Sequence, residues 1–292
     1  MAALLISILL TVLSADAAET GCPQHYAGVE APDILDTATG HKELCYSGFA
    51  VMHAAATKTP LYAAESLTRE QLEQARTIPR RNSFHAEATL AAEERAEMAD
   101  YAGSGYDRGH LAPSADMPDE QSQYESFSLA NMVPQVPAHN RGIWARLEKQ
   151  VRQLVHDHAR VYVITGALFD TAPVRIGTLV GVPVTLYKVL YVPETGELLA
   201  FLSDNRADAD LLQIDLQQLE QRTGIRFFPR LQPDHYQGTP TTIMQTCDAV
   251  SGFSVLYRER RTPLLAQRNT TDHPGTGPWY DEEMAAGDQD GA

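Results

Sequence analysis

Basic residues are scarce in this chain. Its 292 residues hold 23 Lys and Arg against 38 Asp and Glu, for a formal net charge of −15. So acidic a surface repels nucleic acid at long range and excludes a histone-like or general DNA-coating role, while leaving room for a local cationic cleft. Cysteine is scarce too. Cys22, Cys45 and Cys247 are too few for a disulfide scaffold, and none has metal-site spacing, which excludes a zinc knuckle. Cys22 and Cys45 could close a short N-terminal loop or remain two thiols; spacing alone does not choose, and Cys247 is left over. Long internal apolar runs are also missing: none approaches the ~20 residues needed to span a bilayer.

The one long apolar run stands at the start, in MAALLISILLTVLSADAAET. Ala2 to Leu13 has the length of a signal-peptide apolar region, and Ala15-Asp16-Ala17 fits a small-residue cleavage site. Residues 1–17 are therefore expected to be a signal peptide and the protein secreted or periplasmic, with no membrane association after removal. The run lacks a preceding Lys or Arg, and with the first basic residue at Lys42 an Arg-rich transit peptide is disfavoured. Removing the leader takes away Asp16 and leaves the chain strongly acidic.

Residues 18–43 are punctuated by Pro and Gly and read as an N-terminal segment with little regular structure. Leu44–Ala55 and Pro60–Thr68 read as two strands, and LAAEERAEMADY as helix-compatible. The Gly-rich stretch from Gly103 to Gly109 must turn sharply before or into a short strand. The strongest helix starts near Asn140, with Ile143, Leu147, Val151 and Leu154 on one apolar face beside Trp144 and Val155, and ends near His158. Arg160–Phe169 is β-rich, and VPVTLYKVLYVP and ELLAFLSD flank Glu194-Thr195-Gly196 as a hairpin. DLLQIDLQQLEQRTG reads as a second helix stopped by Gly224. Residues 44–274 thus form one α+β domain, a mixed and mainly antiparallel sheet with flanking helices, followed by a disordered tail at 275–292.

Three groups of residues could carry chemistry. In YDRGHLAP, His110 is suited to taking a proton from water at neutral pH, Arg108 is a forked cation for phosphate, and Asp107 could orient a neighbour or pair with an arginine. Gly109 would let the backbone bend and a bulky ligand approach. Alone, these four residues describe a surface turn as readily as a site. Downstream, Asn140, Trp144 and Glu148 fall at i, i+4 and i+8, on one helical stripe drifting by only ~40° per step. An amide oxygen and a carboxylate there are hard ligands suited to Mg²⁺, which keeps most of its waters; the plain alternative is a helix-capping Asn and a solvated Glu. The third group is Arg80, Arg81, Arg108, Arg141, Arg146 and Arg152, candidates for one side of a positive cleft in a negative body.

DRGH followed by Asn131, Gln135, Asn140, Trp144, Leu147 and Glu148 resembles the DNA/RNA non-specific endonucleases, the ββα-metal superfamily that also contains endonuclease G. KTPLYAAESLT, PVTLYKVLY and DLQQLEQRTGIRFFPRL extend the resemblance from about residue 44 to 232. It implies a ββα-metal site and a hydrolase cutting phosphodiester bonds in DNA and RNA. In that comparison His110 is the general base, Asn140 the direct ligand of Mg²⁺ (Mn²⁺ as a substitute) and Glu148 the holder of one of its waters. Arg108, Asn131 and Arg152 match residues near the substrate or supporting the site. A phosphate-stabilising arginine is expected shortly before Phe84, and Arg81 is favoured over Arg80 by spacing. Oligomeric state is left open, a homodimer included. The competing readings are a catalytically silent nucleic-acid-binding module and a small-molecule phosphodiesterase.

Overall fold

The computed structural model describes residues 20–35, 40–231 and the two-residue strand at 256–257. The expected signal peptide, Cys247 and the tail lie outside the described residues. The strands used below are β1 (His41–Cys45), β2 (Ala50–Ala54), β3 (Thr59–Thr68), β4 (Asp107–His110), β5 (Met132–Gln135), β6 (Arg160–Leu168), β7 (Thr185–Val192), β8 (Glu197–Asp204), β9 (Leu212–Gln213) and β10 (Leu256–Tyr257). The helices are α1 (Arg69–Ala75), α2 (Glu120–Ser126), α3 (Ala145–His158) and α4 (Leu216–Thr223).

Eight strands make one sheet in the order β10-β9-β8-β7-β6-β3-β2-β1, antiparallel at each pairing except the parallel β9–β10 edge. Both faces are covered, which is why β7 is buried almost end to end instead of alternating. One face, including Val163, Leu186, Leu190 and Phe201, packs beneath Trp144, Leu147, Val151 and Leu154. The other, including Tyr62, Ile164, Tyr187 and Val189, packs against Leu219, Phe227 and the N-terminal Tyr26. Each large side chain sealed on α3 stabilises by roughly 1.5–3 kcal/mol. The two-stranded ribbon β4–β5 lies outside the large sheet, and it carries DRGH.

The expected α+β architecture, the β7–β8 hairpin and the long helix ending at His158 are all present. Four details differ. Leu44–Ala55 is two strands rather than one, because the Tyr46 amide donates back to the Phe49 carbonyl and the two rings stack at 4.6 Å. LAAEERAEMADY supplies only a single helical turn, Met98–Tyr101; its buried Leu90, Ala96 and Tyr101 lack helical spacing, and Arg95 ties the loop by donating to the Leu90 carbonyl. In DLLQIDLQQLEQRTG the helix starts at Leu216, where Asp215 accepts from the Gln218 amide, because Leu212 and Gln213 pair with β8 first. Gly224 does end it, at φ 65°. Finally, the segment Asn140–Trp144 is a π turn between a Pro137–His139 turn and α3. Along it Trp144 is sealed at 1% exposure, whereas Asn140 and Glu148 stay half-buried.

Cys22 and Cys45 are joined, tying the N-terminal turns to the end of β1 across 23 residues. Closing such a loop stabilises by about 3 kcal/mol through the unfolded chain. A Cys22→Ser variant should therefore melt lower by several degrees in a thermal scan while keeping its far-ultraviolet spectrum. An unchanged melting temperature would show that the tie contributes nothing.

Candidate active site

The ribbon sorts its residues by the two-residue period of a strand. Asp107 and Gly109 are buried, while Arg108 and His110 alternate onto the half-exposed side. Gly109 is required by packing rather than by ligand access: a Cβ there would stand 2.0 Å from Gln135 Oε1. Gln135 in turn hydrogen-bonds His139 Nδ1 at 2.7 Å, and His139 Nε2 reaches Ser203 Oγ at 2.9 Å, so ribbon and sheet are joined through an imidazole.

His110 is walled by two aromatic rings, Phe127 edge-on at 4.9 Å and Phe84 at 5.8 Å. Each ring carries an arginine on its face: Arg108 lies 4.2 Å from the Phe84 centroid and Arg80 lies 5.2 Å from that of Phe127. Arg80 also donates to Ser114 Oγ at 2.8 Å and to Asn82 Oδ1 at 2.9 Å. Burial, then Arg80, then Arg108 hold the His110 pKa well below its ordinary value, so the ring is neutral at neutral pH. Its Nε2 is buried with no protein hydrogen-bond partner.

Asp107 is the hub. Its carboxylate accepts a fork from Arg141, Nη2 to Oδ1 at 2.6 Å and Nε to Oδ2 at 2.9 Å, and at the same time the Asn140 amide nitrogen at 2.9 Å. Carboxylate oxygens on which an arginine fork already converges accept, so Asn140 must present its NH₂ to Asp107 and keep Oδ1 as the acceptor for a ligand. An amide oxygen held in this way is one hard donor of the kind a divalent cation takes. Among the described residues, the cluster of three His, Cys, Asp or Glu ligand atoms found is Cys22, Glu43 and Cys45, whose sulfurs are already bonded to each other.

The residues expected from sequence divide into those that converge and those that do not. His110, Arg108 and Asn140 lie on or against the ribbon, and Glu148 is half-buried one turn beyond Trp144. Arg81 is exposed and pairs with Glu120 at 3.4 Å, whereas Arg80, also exposed, lies over the Phe127 ring beside His110. The Arg80 position depends on Phe127, far along the chain, so spacing to Phe84 could not reveal it. Asn131 lies inside the fold. It is fully buried, and its amide is consumed by the Ala112 amide (3.0 Å) and by the Ala112 and Ser126 carbonyls (2.9 Å each), so it braces the loop after His110. Arg152 likewise turns inward to the buried Asp116, at 3.0 Å. A cavity of about 610 Å³ at the ends of β3 and β6, lined by His25, Arg69 and Arg160, includes none of these residues.

A family model described as DNA/RNA non-specific endonuclease matches residues 33–234. Similar proteins include the mitochondrial Nuclease 1 of Schizosaccharomyces pombe, 33% identical over 53% of this chain and 54% of that one. Mitochondrial Endonuclease G of Bos taurus is 32% identical over 60% of this chain and 65% of its own. Nuclease C1 of Cunninghamella echinulata var. echinulata is 29% identical over 67% and 86%. The chain therefore spans just over half of the first of these proteins and just under two thirds of the second. Among solved structures, the crystal structure of the EndoG/EndoGI complex aligns with a TM-score of 0.61 and 26% identity, over 66% of this chain and 88% of that one.

The buried imidazoles make acid a specific stress. Burial lowers the His139 pKa from 6.5 to about 4, and lowers those of His110, His53 and His25 as well. Below pH 6.5 the unfolded chain takes up protons that the folded one refuses, so stability falls as pH drops from 6.5 towards 4. His139 alone should account for on the order of 3 kcal/mol across that window. Urea midpoints measured at pH 7 and pH 5 should show the decline, and His139→Gln should make it smaller. Equal midpoints at both pH values would contradict the neutral, buried assignment.

Proposed function

The chain belongs to the DNA/RNA non-specific endonuclease family, and from that premise we propose that it is a metal-dependent endonuclease hydrolysing phosphodiester bonds in both DNA and RNA. The observation that carries this reading is the pairing of two half-finished groups. One is a neutral His110 whose Nε2 lacks a partner, and the other is an Asn140 amide whose nitrogen is spent on Asp107.

In this reading Asn140 Oδ1 holds a divalent ion, Mg²⁺ with Mn²⁺ as substitute, and Glu148 reaches the ion's hydration shell. Once bound, such an ion supplies Lewis-acid stabilisation of the phosphate and the leaving oxygen. His110 Nε2 takes the proton from the attacking water, and its depressed pKa keeps the base free for that step. Arg80 and Arg108, fixed on aromatic rings on either side, bind the phosphate oxygens; we assign this role to Arg80 in preference to Arg81. Asn131 and Arg152 act as positioning residues, through the Ala112 loop and Asp116. Contacts confined to phosphate carry no base or sugar information, which accounts for action on both polymers. The acidic body confines attraction to the cleft and predicts binding that weakens with salt. We further propose a secreted or periplasmic setting, which the Cys22–Cys45 disulfide supports.

Supercoiled plasmid and single-stranded RNA incubated with purified protein should be degraded with Mg²⁺ and left intact with EDTA. A gel shift without cleavage would support a silent binding module instead, and no effect on either polymer a small-molecule phosphodiesterase. His110→Ala should lose at least ~10²-fold in rate with its fold intact, and near-normal cleavage by that variant would remove the assigned base. In the parent, the acid limb of kcat/KM should lie below pH 6.5, because deprotonated His110 persists there. Asn140→Ala should move the Mg²⁺ midpoint of activity upward.

A further inference from the structure

The residues from Arg80 to His85 divide between two sets of contacts. Arg80 and Phe84 reach the Phe127 ring that stands beside His110. Their next neighbours, Arg81 and His85, reach α2 itself. Arg81 pairs with Glu120 at 3.4 Å, and its amide donates to Gln123 Oε1 at 2.9 Å. The His85 ring lies on that of Tyr124, with centroids 4.4 Å apart and planes only 5° from parallel. Two backbone bonds tie this pile to the wall of the site: the His85 amide donates to the Phe127 carbonyl at 3.2 Å, and the Phe127 amide to the Tyr124 carbonyl at 3.1 Å.

Among the Phe, Tyr and Trp side chains described up to Leu231, Tyr124 alone is exposed, at 48%; the others are buried or half-buried. The helix does not depend on its ring, because Asp119 caps the start of α2 and Ser122, Gln123 and Ser126 are its buried positions. His85 is held in orientation by its Nδ1, which donates to the Ser83 carbonyl at 2.8 Å. An exposed aromatic ring backed by an oriented imidazole is suited to stacking, and stacking holds any base because every base has a π face. The carboxylates beside it on α2 are engaged, Glu120 by Arg81 and Glu125 by the Ser47 amide at 2.6 Å. A protein partner would bury about 800 Å² per side. A lone aromatic ring between Glu120 and Glu125 fits one flat ligand ring better.

We propose that Tyr124, backed by His85, is a stacking platform for an unpaired nucleobase of the substrate strand, flanking the phosphate that meets His110. The inference rests on the nucleic-acid substrate given in the proposed function and deepens it. Single strands gain a contact that duplexes, whose bases already stack on one another, do not.

The test titrates a single-stranded oligonucleotide carrying 2-aminopurine, whose fluorescence falls on stacking, with the protein in EDTA, so that binding is read without cleavage. The parent should quench the fluorescence. Tyr124→Ala should lose most of the quenching and raise Kd by ~10-fold, the scale of one lost base–ring stack. Tyr124→Phe, which keeps the ring, should restore both. In cleavage with Mg²⁺, Tyr124→Ala should raise KM for a single strand by a larger factor than for the duplex of the same sequence, with kcat changed less than KM. Circular dichroism checks the fold. Parent-like quenching and affinity in Tyr124→Ala, a Tyr124→Phe variant as impaired as Tyr124→Ala, or equal losses on single strand and duplex would each overturn the platform. If the parent cleaves neither polymer with Mg²⁺, the proposed function fails, and the titration in EDTA still decides the platform.

Discussion

A single buried carboxylate joins the ribbon to the segment that leads into the long helix. Asp107 accepts the Arg141 fork and the Asn140 amide at once, and so fastens the ribbon to the first turn of the long helix. The π turn at Asn140–Trp144 makes this geometry available, because it lets Asn140 turn to the ribbon while Trp144 enters the core. Without Asp107 the Asn140 amide would have no reason to prefer one orientation, and a ligand oxygen that can rotate is a poor one for an ion that demands strict geometry. Charge-assisted hydrogen bonds of the kind gathered on Asp107 are about twice as strong as neutral ones, which suits them to holding a rotamer against thermal motion.

The electrostatics of the site run against those of the molecule. The protein is acidic overall, yet the groups that reach His110 are arginines, and each is stacked on a phenylalanine. The two phenylalanine rings hold the guanidiniums beside the imidazole. Burial first, and then the charge of these two arginines, lowers the imidazole pKa, which suits the base role proposed for His110. Arg81, paired in the open with Glu120, shows the ordinary fate of an arginine in so acidic a protein.

What was legible in the sequence was what is local. DRGH and the Asn140 helix are contiguous stretches, and their residue types carried the reading of chemistry before any fold was known. Asp107 was visible as a group that could orient a neighbour or pair with an arginine, and it does both. What distant partners decide was not legible. Arg80 gained its place from Phe127, Asn131 was buried by the loop around Ala112, and Gly109 serves the Gln135 side chain. Helical periodicity located α3 well, because its buried face is a one-dimensional pattern, but periodicity assumes a uniform turn and could not register a π turn.

The central claim is that Asp107 fixes Asn140 Oδ1 as the protein atom that binds a divalent ion beside His110. An anomalous difference map from crystals grown with Mn²⁺ tests it most directly. The account predicts one strong peak about 2.1 Å from Asn140 Oδ1, with the Asn140 nitrogen still on Asp107 and a water between the peak and His110 Nε2. A peak held by other side chains, with Asn140 Oδ1 bonded elsewhere in the protein, would contradict it.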